Sequence, residues 1–421
     1  MSEYFIYLIT ALATAGVIFR PFKLPEYIWA CAGAILLLIF GLINFSGFLK
    51  GISKGTDVYL FLIGMMLIAE CARREELFHW LADHAIRFSK GSAERMFVLI
   101  FGVGIVVTVF MSNDATAVVL TPAVAVAMHK AKIKNVLPYL LICAFIANAA
   151  SFVLPISNPA NLVIFGKQMP PLIIWLKTFI IPSVFAVACT FIVLFLTQKK
   201  NLLEAIPTDI EADELSSGGK VALTGIILTV LALLIASALD LDLGLPTAIA
   251  GFSVVLMITV FTKKSPVSVL KNISWSVLPL VAGLFIMVEA LSEIGLVESL
   301  TKILAENSAK SVSETAWFSG ISTAIGCNLV NNLPAGLLVG SAAAADHIPA
   351  LVKSFILIGI DLGPNLSVTG SLATILWLIE IRKHGYEITA WQFLKLGFIV
   401  MIPSLLTALG SLWLLNYFEF I

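Results

Sequence analysis

The sequence predicts an all-α polytopic membrane protein built as inverted repeats, with about ten transmembrane helices, two re-entrant hairpins and two broken helices. Three observations carry this prediction. The 421-residue chain is 59% hydrophobic and only 12% charged, about half the charge of a soluble globular chain. It contains ten apolar runs close to the roughly 20 residues that a bilayer demands of a helix. The runs also occur in the same order twice, each half carrying one further apolar stretch with polar residues at its middle.

In the first half the spans fall at 4–19, 27–49, 57–72, 135–166 and 172–197, with the additional stretch at 96–129. The run 4–19 is read as a membrane helix rather than a removable signal peptide, since it has neither a basic leader nor a small-residue cleavage site. Segment 71–95 mixes both charge signs with Leu77, Phe78, Trp80, Leu81, Ile86 and Phe88 at helical spacing, which predicts a helix lying on the cytoplasmic interface. The connector 198–220 is polar, acidic at its centre and Ser/Gly-rich at its end, as an exposed cytoplasmic linker would be. Beyond it the spans fall at 221–239, 245–262, 274–291, 350–380 and 391–416, with the additional stretch at 313–345.

Runs 135–166 and 350–380 are too long for one straight helix and carry Pro, Gly and Asn in their interiors. They are read as broken helices. The additional stretches are long enough to enter the bilayer and return, with the polar residues at the tip. The first repeat is therefore 1–197, with hairpin 92–129 and broken helix 135–166, and the second is 221–421, with hairpin 311–345 and broken helix 350–380. Five spans is an odd number, so the second half starts on the opposite side. Placing the N-terminus outside puts Arg20, Arg73, Arg74, Lys130, Lys199 and Lys200 with most other basic residues on the cytoplasmic side, as the positive-inside rule requires.

Composition also excludes classes of function. Twenty-six basic and twenty-six acidic residues cancel, and no basic tract is present to neutralise phosphates, so nucleic acid is not an expected partner. No Walker A pattern or His/Cys cluster at metal-ligand spacing occurs, so neither ATP hydrolysis by that route nor a metal site is expected. Cys31, Cys71, Cys143, Cys189 and Cys327 lie mostly in apolar runs and read as small packing residues. An intramembrane protease would need a carboxylate pair or a nucleophile with its base; Asp114 and Asp361 are such a pair but stand in no protease motif.

Repeats with interrupted helices are the pattern of secondary transporters, whose substrates bind at the breaks. In "MSNDATAVVLTPAV" the first tip offers Ser112, Asn113, Asp114 and Thr116. Ser, Asn and Thr there could simply bond neighbouring helices, but an intramembrane carboxylate argues for function. The second tip, "NLVNNLPAGLLVG", places Asn331 and Asn332 where Asn113 and Asp114 stand in the first. The breaks supply Pro155, Ser157, Asn158 and Asn161 in one half and Asp361, Asn365, Ser367, Thr369 and Ser371 in the other. These four polar interruptions are expected to meet. Asp114 and Asp361 could each carry a proton or ligate a cation, whereas Glu70, Glu289 and Glu380 near span ends read as interfacial or salt-bridging groups.

These tips and breaks, above all "GIDLGPNLSVTGSLATILWL", resemble the arsenite/antimonite efflux permeases (ArsB family) of the ion transporter superfamily over nearly the whole chain. The resemblance implies a transport part, here 92–166 and 311–380, set in a scaffold. It implies a multi-pass carrier of the bacterial or archaeal cytoplasmic membrane that exports trivalent arsenic or antimony in exchange for protons. No cofactor beyond the proton gradient is implied. The partners implied are arsenite or antimonite, protons and membrane lipid, in some operons a soluble ATPase, and a second copy, since dimerisation through the scaffold is common in the superfamily. Arsenite is a small uncharged trihydroxide at neutral pH, so Ser112, Asn113, Thr116, Asn158, Asn161, Asn331, Asn332, Asn365 and Thr369 are the candidate binding groups. Asp114 and Asp361 are the candidate proton carriers. A sodium/proton antiporter would instead use both aspartates for cations. A sodium-coupled carboxylate transporter would want Ser-Asn-Thr at both tips, from which Asp114 and Asn332 depart.

Overall fold

The computed structural model describes residues 2–165, 169–203, 206 and 214–420, and among them every regular element is helical. In the first part of the chain these are α1 (Ser2–Phe19), α2 (Glu26–Ile39), α3 (Phe45–Lys54), α4 (Thr56–Arg74), α5 (Leu77–Phe88), α6 (Ala93–Met111), α7 (Asn113–Ala115), α8 (Thr121–Lys130), α9 (Leu137–Ala149), α10 (Pro159–Phe165) and α11 (Leu172–Gln198). In the second they are α12 (Ser217–Ala238), α13 (Gly244–Thr262), α14 (Val267–Asn272), α15 (Val277–Glu293), α16 (Leu296–Lys310), α17 (Val312–Val330), α18 (Asn332–Ala343), α19 (Ala350–Leu362), α20 (Leu372–Lys383) and α21 (Ala390–Tyr417). Of the linker at 198–220, residues 204, 205 and 207–213 lie outside the described residues, as does Gly166 at the end of the first broken helix.

By length and composition five described helices can cross a membrane, or seven if the bent pairs α3–α4 and α15–α16 each count as one span. Shorter apolar helices fill the predicted span 4–19 and parts of 27–49 and 135–166. The predicted span 27–49 is not one helix: α2 stops at Ile39, and Gly41 takes a left-handed φ of 64° before α3 restarts under an Asn44 cap. α6, assigned in sequence to a hairpin arm, is itself among the five long apolar helices. α16 lay in no predicted span because Glu298, Lys302, Glu306 and Lys310 interrupt its apolar residues. α5 forms where the interfacial helix was predicted, but Leu77, Phe78, Ala82, Ala85 and Ile86 are buried against α6 and α8.

Both long breaks are present. The first runs from α9 through a single 3-10 turn, Pro155–Ser157, to α10; the second from α19 through Gly363–Leu366 to α20. Pro155 opens its 3-10 turn and Pro364 is the second residue of its own, within the first turn, where a missing N–H costs little. The tips also differ from continuous helix. Ser112 (φ 110°) and Asn331 (φ 72°) hold the left-handed side of the map, where a side chain is strained and persists only if its surroundings enforce it. Directly after the first tip, Thr116–Leu120 widens into a π-helical turn. Pro122 offers no N–H to the preceding turn, and the Thr116 carbonyl accepts both the backbone N–H of Thr121, the wider bond of a π turn, and the Thr121 hydroxyl (3.0 Å).

Candidate functional site

The two breaks meet across the molecule. Asn158, in the first, donates through Nδ2 to Asp361 Oδ1 at 2.8 Å in the second, and its own Oδ1 accepts the N–H of Ala160. Asp361 is fully buried, and its Oδ2 has no hydrogen-bond partner. Beside this pair Asn148 donates to Asn365 Oδ1 (3.1 Å) and to Thr374 Oγ1 (3.2 Å), while Asn365 donates to the Phe145 carbonyl. Asn161 turns inward within its own break, its amide facing the carbonyls of Ser151, Leu154 and Pro155.

The tips lie on this junction from either side. The first packs against α20, in the broken helix of the other half, while α18, which follows the second tip, packs against α10. Asn331 caps α18 by accepting the N–H of Leu333 and donates to the Thr369 carbonyl, while the N–H of Asn332 bonds Gly370. Thr369 and Ser367 in turn hold Asn328 at the end of α17. The backbone therefore aligns Asn331 with Ser112, the residue of positive φ, rather than with Asn113. On that alignment the second-half counterpart of Asp114 is Leu333. The first tip alone bears a carboxylate.

That carboxylate faces space. A cavity of about 370 Å³ is lined by Ser112 and Asp114 from the tip, Pro159 from the first break, Leu372 and Leu376 from α20, and Glu70 and Arg73 from α4. Its size falls in the range of small-molecule sites. Asp114 forms no ion pair among the described residues. Arg73, the only cation of the described lining, is engaged by both oxygens of Glu70, through Nε and Nη2 at 2.6 Å each. Of the other sequence candidates, Asn113 is buried beside the cavity with its Oδ1 unpartnered, and Thr116 points back to Thr108 (2.8 Å). Asn161, Asn331, Asn332, Asn365 and Thr369 do not line it.

Sequence reading missed Asn148, Thr374 and Asn328, which hold the junction, and Glu70 and Arg73 as cavity walls. For Asn148 the available signal was a lone amide on an otherwise apolar helix, since a buried amide needs a partner. Glu70, Glu289 and Glu380 were read as possible ion-pairing groups and do pair: Glu70 with Arg73, Glu289 with Lys50 (2.7 Å) and Lys54 (2.5 Å), and Glu380 with Lys383 (2.8 Å).

Comparison with known proteins places this geometry. A family model described as citrate transporter matches residues 11–358. An arsenical pump membrane protein of Escherichia coli is 26% identical over 424 residues, covering 96% of this chain and 97% of its own. A putative arsenical pump membrane protein of Bacillus subtilis is 24% identical, covering 94% and 96%. Among solved structures, the YdaH transporter of Alcanivorax borkumensis, described as having an unusual topology, shares the fold at a TM-score of 0.52 with 13% identity, covering 89% of this chain and 88% of that one. These matches and the apolar helices agree on a multi-pass transporter of the cytoplasmic membrane, similar in sequence to arsenical pumps, and the chain belongs to the citrate transporter family.

Proposed function

We propose that the protein exports trivalent arsenic or antimony, as arsenite or antimonite, from the cytoplasm in exchange for protons, with the cavity at the first tip as its substrate site. One observation carries the reading: the cavity holds an unpaired carboxylate, Asp114, while its one cation is already bonded to Glu70. A polyanion such as citrate would meet like charge there, and like charges in a low-dielectric site repel strongly. A neutral trihydroxide would not. Its hydroxyl groups find donors and acceptors at Ser112 and Asp114, and in Asn272 and Ser274 on the facing wall.

A neutral solute moves against its gradient only when a coupled ion moves too, and Asp114 is the group placed to bear the proton. Protonated, it enters an apolar surround at far lower cost than as the anion. Asp361, fully buried and bonded to Asn158, serves in this reading as the second proton site or as the lock between breaks. The names of the arsenical pumps support the substrate class, and the cavity chemistry supports it independently.

The test is uptake of trivalent arsenic into everted vesicles with and without a proton gradient. Uptake that collapses with a protonophore is expected, and Asp114→Asn should abolish accumulation against the gradient while leaving downhill exchange. Accumulation persisting in Asp114→Asn removes that residue from coupling. Sodium-dependent citrate movement with no arsenic uptake would establish instead the carboxylate activity that the family description favours.

A further inference from the structure

We infer that Glu70 is a specificity-determining residue: by occupying the guanidinium of Arg73 it closes the cavity to carboxylates and other oxyanions. This rests on the cavity being the substrate site. Glu70 and Arg73 lie three residues apart on the last turn of α4, both on the cavity wall. The Glu70 carboxylate is 8% exposed and the Arg73 side chain 44% exposed. The acid is thus held in the wall while the cation reaches toward open space. Both Glu70 oxygens accept from Arg73, one from Nε and one from Nη2, at 2.6 Å. This is the two-pronged edge by which arginine grips a planar carboxylate or an oxyanion. A free Arg73 opposite Ser112 would give the cavity the donor fork and positive charge that an anionic substrate needs.

Occupied, it gives neither. Counting Glu70, Arg73 and ionised Asp114, the described lining carries one net negative charge; without the Glu70 charge it carries none, and the fork feels only the charge of Glu380, which lies outside the lining and is paired with Lys383. Selectivity in this arrangement comes from refusing the wrong substrate rather than from extra contacts to the right one. A salt bridge kept only for stability would predict no such change of preference, because partly exposed pairs contribute little to stability.

The experiment measures the thermal stability of the purified full-length protein in detergent against citrate, with chloride at matched ionic strength as the reference. It compares the wild type, Glu70→Gln and the double variant Glu70→Gln/Arg73→Gln. Citrate should stabilise Glu70→Gln at concentrations lower by about tenfold or more than any effect on the wild type, the worth of a charge-assisted bond pair. The double variant should lose that gain. In vesicles, citrate should inhibit arsenite uptake by Glu70→Gln and leave the wild type unaffected. A wild type as responsive to citrate as Glu70→Gln overturns the inference, and so does a gain that survives removal of Arg73. If Glu70→Gln does not accumulate as folded protein, Glu70→Asp, one methylene too short for the two-pronged contact, provides the same readout with a smaller gain, and no gain overturns the inference. Absence of arsenite uptake in the wild type overturns the proposed export and leaves the role of Glu70 to be decided by the melting curves.

Discussion

Asp361 ties the two breaks together through Asn158, beside the bonds of Asn148 to Asn365 and Thr374. Its Oδ1 has one donor, Asn158, and its Oδ2 has none. Replacing Asn158 with Ala strands a buried acceptor, which costs about 1–3 kcal/mol, and should lower the melting temperature in detergent. In Asp361→Leu the acceptor is gone, so adding Asn158→Ala to it should cost much less than Asn158→Ala alone; equal costs in both backgrounds would show that the pair is not coupled. At this scale the sequence was legible where chemistry stands out against hydrocarbon: Asp114 and Asp361 were found because a carboxylate in a membrane run is conspicuous. Arg73 and Glu70 were seen but placed at a span end, because membership of a cavity is decided by packing between α4 and the first tip, which spacing along one helix does not report.

Between elements, small residues decide how closely the helices approach. Gly359 on α19 and Gly363 just past its end face Gly320 and Ala324 on α17 so tightly that a Cβ at either glycine would fall on the backbone of α17. Apolar helices in lipid associate through such close contacts, since lipid offers no hydrophobic reward for burying them. Gly363→Leu is therefore expected to push α19 off α17 and cost about 1–3 kcal/mol, with the Asp361 turn displaced. A melting temperature unchanged from wild type would show that α17 can yield. The broken helices were readable from Pro155, Pro159 and Pro364 set in apolar runs, because proline acts locally. The stop at Ile39 and the helix α16 were not, since a short polar break and an amphipathic helix with regular charges both look like loop in a hydropathy reading.

Beside a smaller apolar cluster of α1, α2 and α15, a large apolar core runs from α4 to α21 and joins both halves. Cys71, Cys143 and Cys327 are buried in it, with Cys143 and Cys327 directed at the carbonyls of Tyr139 and Ala324, and none of the five cysteines lines the cavity. A variant with all five replaced by Ala or Ser should keep uphill arsenite accumulation within about threefold of wild type, the loss that roughly 0.6 kcal/mol would cause. Complete loss, with the folded protein still present, would show a thiol relay. The repeated order of apolar runs made the helical class legible early. The packing of the first tip on α20 and of α18 on α10 was not, because no local pattern records which distant segment an element will rest on.

The meeting of the two breaks also bears on how the chain is made. The Asn158 amide and the Asp361 carboxylate are 203 residues apart in sequence, so at synthesis rates of about 5–20 residues per second the first break waits roughly 10–40 s for its partner. During that interval the break's carbonyls are already bonded from within, by the Asn161 amide, and what waits for α19 is the side-chain amide of Asn158.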